Sequence, residues 1–216
     1  MTVRIDGTLR RGDWSLAIDG LVVAPGLTAV VGPNGAGKTS LLRLIAGLEA
    51  ISEGSVDIGG TVVDDPATST FVAPDRRPVT MVFQDHRLFP HLRAIDDVAF
   101  PLRRRGLDRG AARARANELL DRVGLGDHGH ARPDRLSGGQ RQRVAVARAL
   151  AREADVLLLD EPLASIDDAS RAALRRLFAT ETAPTVVWVT HDPTDAAGAD
   201  EVLTLDASGI GQTARS

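Results

Sequence analysis

The chain of 216 residues has no cysteine, no tyrosine, two methionines and a single lysine, Lys38. Without cysteine there can be no disulfide framework, thiolate metal site or cysteine nucleophile, which fits a reducing interior. No apolar run approaches the roughly 18 residues needed to cross a bilayer. The opening Met1-Thr2-Val3-Arg4-Ile5-Asp6 lacks the apolar stretch of a secretory signal. A soluble, cytoplasmic protein is therefore expected. Net charge is also small: 26 basic residues against 29 acidic ones leave −3, so there is no overall attraction to nucleic acid. What is present is a 43% hydrophobic composition, enough for a substantial core in one globular unit with a subdomain. Disordered and collagen-like chains are excluded. Lysine scarcity needs its own account, because 25 of the 26 basic residues are arginine.

Hydrophobic periodicity divides the chain into alternating elements. Short strands are expected at Val3 to Leu9, Trp14 to Ile18 and Leu27 to Val31, separated by Gly, Pro and Asp turns. A helix should run from Lys38 to about Leu48, with Leu41, Leu42, Leu44, Ile45 and Leu48 at helical spacing. Strands follow at Ser55 to Ile58, Thr61 to Val63 and Val79 to Phe83. The pattern from Ala94 to Val123 is helical, broken at Gly106 and Gly110, and a further helix spans Ser137 to Arg152. The run Val156 to Leu159 reads as a strand covered on both faces. Then come a helix over Ser170 to Phe178 and strands at Thr185 to Val189 and Val202 to Leu205. Strands alternating with helices indicate an α/β core, with the helical stretch from about 88 to 136 inserted into it.

Gly32-Pro33-Asn34-Gly35-Ala36-Gly37-Lys38-Thr39 fits G-x-x-x-x-G-K-[ST], between an expected strand and an expected helix that continues into Ser40. The glycines let successive N–H groups turn inward, and the helix N-terminus adds partial positive charge for phosphates. Lys38 supplies a compact point charge for the β and γ phosphates, and the Thr39 hydroxyl is a ligand for Mg²⁺. Asp160 and Glu161 end the apolar strand, where α/β sheets place their ligands. There Asp160 is a candidate Mg²⁺ ligand and Glu161 a candidate general base for the water that attacks the γ-phosphate. Leu136-Ser137-Gly138-Gly139-Gln140 opens a second helix. Alone it is either an ordinary N-cap or a second anion-binding terminus.

Together these motifs resemble the ATP-binding cassette family, the nucleotide-binding subunits of ABC transporters, over essentially the whole chain and in the family's order. The resemblance implies a P-loop NTPase core with a small antiparallel β subdomain over 1–87 and 137–216, and a helical subdomain over 88–136. It assigns a glutamine loop to Val82-Phe83-Gln84-Asp85, the signature to Ser137 to Gln140, and a switch histidine to His191. Gln84 would contact Mg²⁺ and the attacking water, and His191 the γ-phosphate. Trp14 is placed as the aromatic that stacks on adenine, against the alternative of a core tryptophan. Asp167 matches the D-loop aspartate, although Ala164 and Ser165 stand in interchanged order. In the family, two cassettes pack head to tail, so that Ser137, Gly138 and Gly139 of one meet the nucleotide in the P-loop of the other.

The segment after Gln84 resembles the importer groove for a membrane subunit, with Leu88, Phe89 and Leu92 as lining candidates. Arg103, Arg104, Arg105, Arg109, Arg113 and Arg115 read as a solvated face paired with Glu118 and Asp121. His128 and His130 read as loop residues. The reading implied is an ATP-hydrolysing importer subunit without a C-terminal regulatory domain, peripheral on the inner face of the cell membrane. Its expected partners are permease subunits, a substrate-binding protein and a second copy of itself, with no nucleic acid. The resemblance is to the molybdate, sulfate, iron and thiamine branch, with molybdate or a related oxyanion as the expected cargo. The alternatives are a soluble ABC ATPase of DNA repair or translation and a monomeric P-loop kinase.

Overall fold

A computed structural model describes residues 1–163, 166–180, 185–196, 198–206 and 209–213. These fall into two compact units. The first comprises residues 1–81, 155–160 and the described residues from 185 onward; the second comprises 82–154 and the described residues of 161–180.

The first unit is built on two sheets. One is antiparallel, in the order β2 (Trp14–Val23), β1 (Val3–Arg11), β4 (Glu53–Ile58), β5 (Thr61–Asp65), β6 (Thr70–Phe71). The other runs β11 (Gly209–Thr213), β10 (Glu201–Asp206), β3 (Gly26–Val31), β9 (Thr185–Val189), β8 (Val156–Asp160), β7 (Val79–Val82). Within it β10, β3, β9 and β8 are mutually parallel and β11 is antiparallel to β10. Every residue of β8 and β9 is buried, as a parallel strand covered on both faces requires. Helix α1 (Lys38–Ala46) follows β3, and the short α6 (Pro193–Ala196) follows β9. Leu41, Leu42, Leu44 and Ile45 of α1 share one core with Val3, Ile5 and Ile18 of the first sheet and Leu158, Val187 and Leu203 of the second. Each large aliphatic buried here is worth about 1.5–3 kcal/mol.

β2 runs five residues beyond the expected Ile18. Ile5 pairs with Leu21 but Gly7 with Ile18, so Asp19 and Gly20 form a bulge. The extra residue switches the buried series from Leu16 and Ile18 to Leu21 and Val23, a phase change that strict alternation cannot follow. β6, α6 and β11 are additions to the sequence reading.

In the second unit α2 (Ala94–Arg104), α3 (Arg109–Arg122) and α4 (Gly138–Leu150) pack on one another, and α5 (Asp168–Thr180) belongs to the same unit. The unit thus extends past the expected 88–136 insert to take in α4 and α5. Gly110 is not a helix break. Asp108 is the N-cap of α3 and its Oδ1 accepts from the N–H groups of Gly110 and Ala111 at 2.8 and 3.0 Å, which puts Gly110 in the first turn. Among the arginines of this unit, Arg115 pairs with Glu118 at 2.6 Å as expected. The partner of Arg113 is Asp96 on α2, through two parallel bonds of 2.8 Å.

Candidate functional site

The P-loop leads from β3 directly into α1. Gly37 is the helix N-cap at φ 105°, and a Cβ there would sit 2.6 Å from the Trp14 ring. Backbone and packing therefore both demand glycine. The first turn of α1 has no side-chain cap and no acidic residue, so its N–H groups present uncompensated positive potential. Lys38 is only 6% exposed. Its Nζ donates to the carbonyls of Gly32 at 2.8 Å and Pro33 at 2.9 Å, which uses two of its three donors.

Register in the parallel sheet fixes what lies beside the loop. Val30 of β3 pairs with Val189 of β9, and Val189 pairs with Asp160 of β8, so these three strands end together. Asp160 is 5% exposed, and its Oδ1 accepts from the Thr39 hydroxyl at 3.1 Å. A hydroxyl and a carboxylate form an all-oxygen donor set of the kind a hard divalent cation takes, so the pair fits the expected Mg²⁺. His191 lies exposed just past β9. The buried Thr190 before it donates from its N–H to Val30 O at 3.1 Å. Its Oγ1 accepts from Asp192 N at 3.1 Å, and Asp192 Oδ1 in turn accepts from Thr194 N at 2.8 Å. This turn anchors the backbone on either side of His191.

Trp14 opens β2, paired with Arg11. It is half-buried against the core with its benzo edge on Gly37. It therefore supports the loop as well as standing next to it. A residue without any local sequence signal holds the other end of α1. Arg77, with a fully buried side chain, donates to Leu44 O at 2.9 Å and Ile45 O at 3.0 Å in the last turn. It also donates to Val72 O and Val63 O at 2.9 and 3.3 Å and lies 3.6 Å from Asp64. A cation suits the negative end of a helix dipole. A Cβ at Gly47 would lie 2.5 Å from Arg77 Nε, so the glycine makes room for the guanidinium. Burial pushes the Asp64 carboxyl up, opposed by the Ile51 N–H and by Arg77.

In the second unit, Gln84 is exposed just after β7. His86 and Arg87 follow it with positive φ of 60° and 44°, costing of order 1–2 kcal/mol each. Arg148 of α4 captures both of their carbonyls, donating to Arg87 O at 2.7 Å and His86 O at 2.9 Å. It also binds the buried Asp97 at 2.9 Å, whose other oxygen accepts Phe89 N at 2.7 Å. Nothing in the sequence pattern singles out Arg148 or Asp97; only the fold brings them to this segment. Leu88, Phe89 and Leu92 are half-buried, and Phe89 packs at a tilt against the exposed Phe100, with ring centroids 5.2 Å apart.

Ser137 is the N-cap of α4 in a reciprocal box with Gln140, with Gly138 and Gly139 in the first turn between them. Glu161, the residue after Asp160, has φ 50° immediately before Pro162. A non-glycine residue held there marks strain of the kind found at functional sites. Asp167 Oδ1 accepts from Ser170 N at 3.0 Å at the start of α5, and this bond lowers its carboxyl pKa. Ala164 and Ser165 lie outside the described residues. Among the described residues no helix is long and apolar enough to cross a membrane.

A glycine turn between a parallel strand and a helix, with a buried lysine and a threonine bonded to an acidic strand end, defines a P-loop NTPase of α/β class. The profile of the ABC transporter family matches residues 21–164, and the chain belongs to that family. It is 46% identical over 201 residues to the Fe(3+) ions import ATP-binding protein FbpC of Brucella abortus, covering 89% of this chain and 54% of that protein. To the spermidine/putrescine import ATP-binding protein PotA of Roseobacter denitrificans it is 44% identical over 179 residues, covering 82% of this chain and 46% of that protein. The chain thus spans about half the length of the curated relatives it matches. The dimeric structure of MJ0796, a bacterial ABC transporter cassette, superposes with a TM-score of 0.84 at 27% identity, covering 99% of this chain and 98% of that one.

Proposed function

We propose that the chain is the ATP-hydrolysing subunit of an ABC importer. In this reading, binding of ATP closes a head-to-tail dimer of two copies, and hydrolysis reopens it. The bond between Thr39 and Asp160 carries the proposal, since it joins the phosphate loop to the acidic strand end at the edge where α/β sheets bind ligands. The backbone N–H groups from Gly32 to Ser40, Pro33 excepted, and the third donor of Lys38 hold the phosphates. Thr39, Asp160 and Gln84 would hold Mg²⁺, which would supply positive charge to offset that on the transferring phosphoryl group. Glu161 orients and deprotonates the attacking water, and His191 binds the γ-phosphate. Trp14 stacks on adenine. Ser137, Gly138, Gly139 and Gln140 reach the nucleotide of the second cassette, with Asp167 at the dimer interface.

The import names of the relatives support the transport reading; the nucleic-acid alternative gains no such support. Expected partners are permease subunits docking at the segment around Leu88, Phe89 and Leu92, together with a substrate-binding protein. In this reading the subunit sits on the cytoplasmic face of the membrane. The expectation of molybdate gains no support, because the relatives' names specify other cargoes, among them ferric ions, polyamines and sn-glycerol-3-phosphate. Similarity between cassettes does not choose a cargo. The test is Glu161→Gln: steady ATP turnover should fall by at least a hundredfold while ATP converts monomer to dimer in sedimentation velocity. Full turnover in the variant would overturn the assignment of the base.

A further inference from the structure

His128 ends a 3₁₀ turn twelve residues before Gln140, and its Nε2 lies 2.9 Å from Gln140 Nε2. The direction of this bond follows from the other end of the carboxamide. Ser137 N lies 2.9 Å from Gln140 Oε1, and a main-chain N–H can only donate, so the atom facing it must be the amide oxygen. The amide nitrogen then faces the imidazole, and because it too can only donate, His128 Nε2 must accept. An acceptor at Nε2 calls for the ring tautomer that carries its proton on Nδ1.

We propose that His128 is a positioning residue of the signature, acting through Gln140 on Ser137. The Ser137 Oγ accepts from Gln140 N at 3.2 Å, so its own proton is directed to an outside acceptor, and Ser137 is exposed. The imidazole holds the carboxamide in the orientation that keeps this reciprocal cap closed, leaving the hydroxyl as a ready donor. The proposal rests on the reading that Ser137 meets the nucleotide of a second cassette, where that donor finds a phosphate oxygen.

ATP-driven dimerisation in the Glu161→Gln background tests it, with binding of a fluorescent ATP analogue to the monomer followed in parallel. His128→Leu should raise the ATP concentration for half-maximal dimer by about threefold to tenfold, the effect of one lost hydrogen bond, with monomer binding unchanged. His128→Gln, which puts a carbonyl oxygen near the Nε2 position, should restore the parent value to within about twofold. If Ser137→Ala weakens the dimer while His128→Leu behaves as the parent, the positioning role is overturned. If Ser137→Ala changes nothing, the dimer reading fails, and the ring tautomer then decides the His128 bond by itself. Long-range ¹H–¹⁵N spectra of the Glu161→Gln protein should show His128 Nε2 unprotonated and Nδ1 carrying the proton. A proton on Nε2 would overturn the proposal.

Discussion

The Thr39 hydroxyl and the Asp160 carboxylate meet at 3.1 Å, joining the first turn of α1 to the end of β8 across 121 residues of chain. This bond gathers two oxygens of the kind a hard divalent cation takes at one point. Asp160→Asn keeps an acceptor for Thr39 and removes the charge. Apparent Mg²⁺ affinity should fall ten- to a hundredfold, while metal-free nucleotide binding stays near the parent. Titration of ATPase rate against Mg²⁺ measures this, and an unshifted curve would remove Asp160 from the metal site.

Lys38 is buried and shares its donors between two loop carbonyls. A planar guanidinium is too wide for that space and cannot reproduce a point charge. Lys38→Arg should therefore lose ATP turnover by about a hundredfold or more despite conserving charge, with the melting temperature within a few degrees of the parent. Near-normal turnover would contradict the P-loop reading.

Arg77 ties the C-terminus of α1 to β5 and to the turn before β7. Truncating it strands the Asp64 carboxylate and several carbonyls. Arg77→Ala should cost about 3–5 kcal/mol in unfolding free energy. Arg77→Lys should recover only part of this, because a lysine presents three donors where five N–H groups stood. Urea unfolding distinguishes them; equal midpoints for Arg77→Ala and the parent would refute the capping role.

His86 has its imidazole pKa lowered from 6.5, chiefly by burial and then by Arg141, against the opposing pull of Asp85 and the Gln142 side chain. Since the folded ring gives up its proton more readily than the unfolded one, the unfolded chain binds more protons just below pH 6.5. Stability from this group is complete above that pH and declines on acidification through it. His86→Gln should flatten that part of the stability–pH curve in urea melts between pH 7 and 5.5; an unchanged slope would exclude His86 as its source.

What the sequence made legible was whatever depends on local spacing. The P-loop, Asp160 and Ser137 to Gln140 are contiguous, and the strand and helix around each follow from periodicity. Arg77, Arg148 and Asp97 were not legible. Their contacts reach 33 residues for Arg77 to Leu44 and 51 for Arg148 to Asp97, and an arginine among 25 carries no mark of being buried. His128 looked like a loop residue for the same reason, since its partner is chosen by the fold. The β2 extension was lost to a bulge that inverts the alternation on which strand reading depends.

The single buried lysine has a further use. A lysine-specific protease can cut this chain at only one bond, after residue 38, giving pieces of 38 and 178 residues. Because that bond begins α1, cleavage must await opening of the phosphate loop, and where reclosing outpaces cleavage its rate follows the population of the opened loop. The chain thus carries a built-in proteolytic gauge of the loop, with a two-band readout and no label.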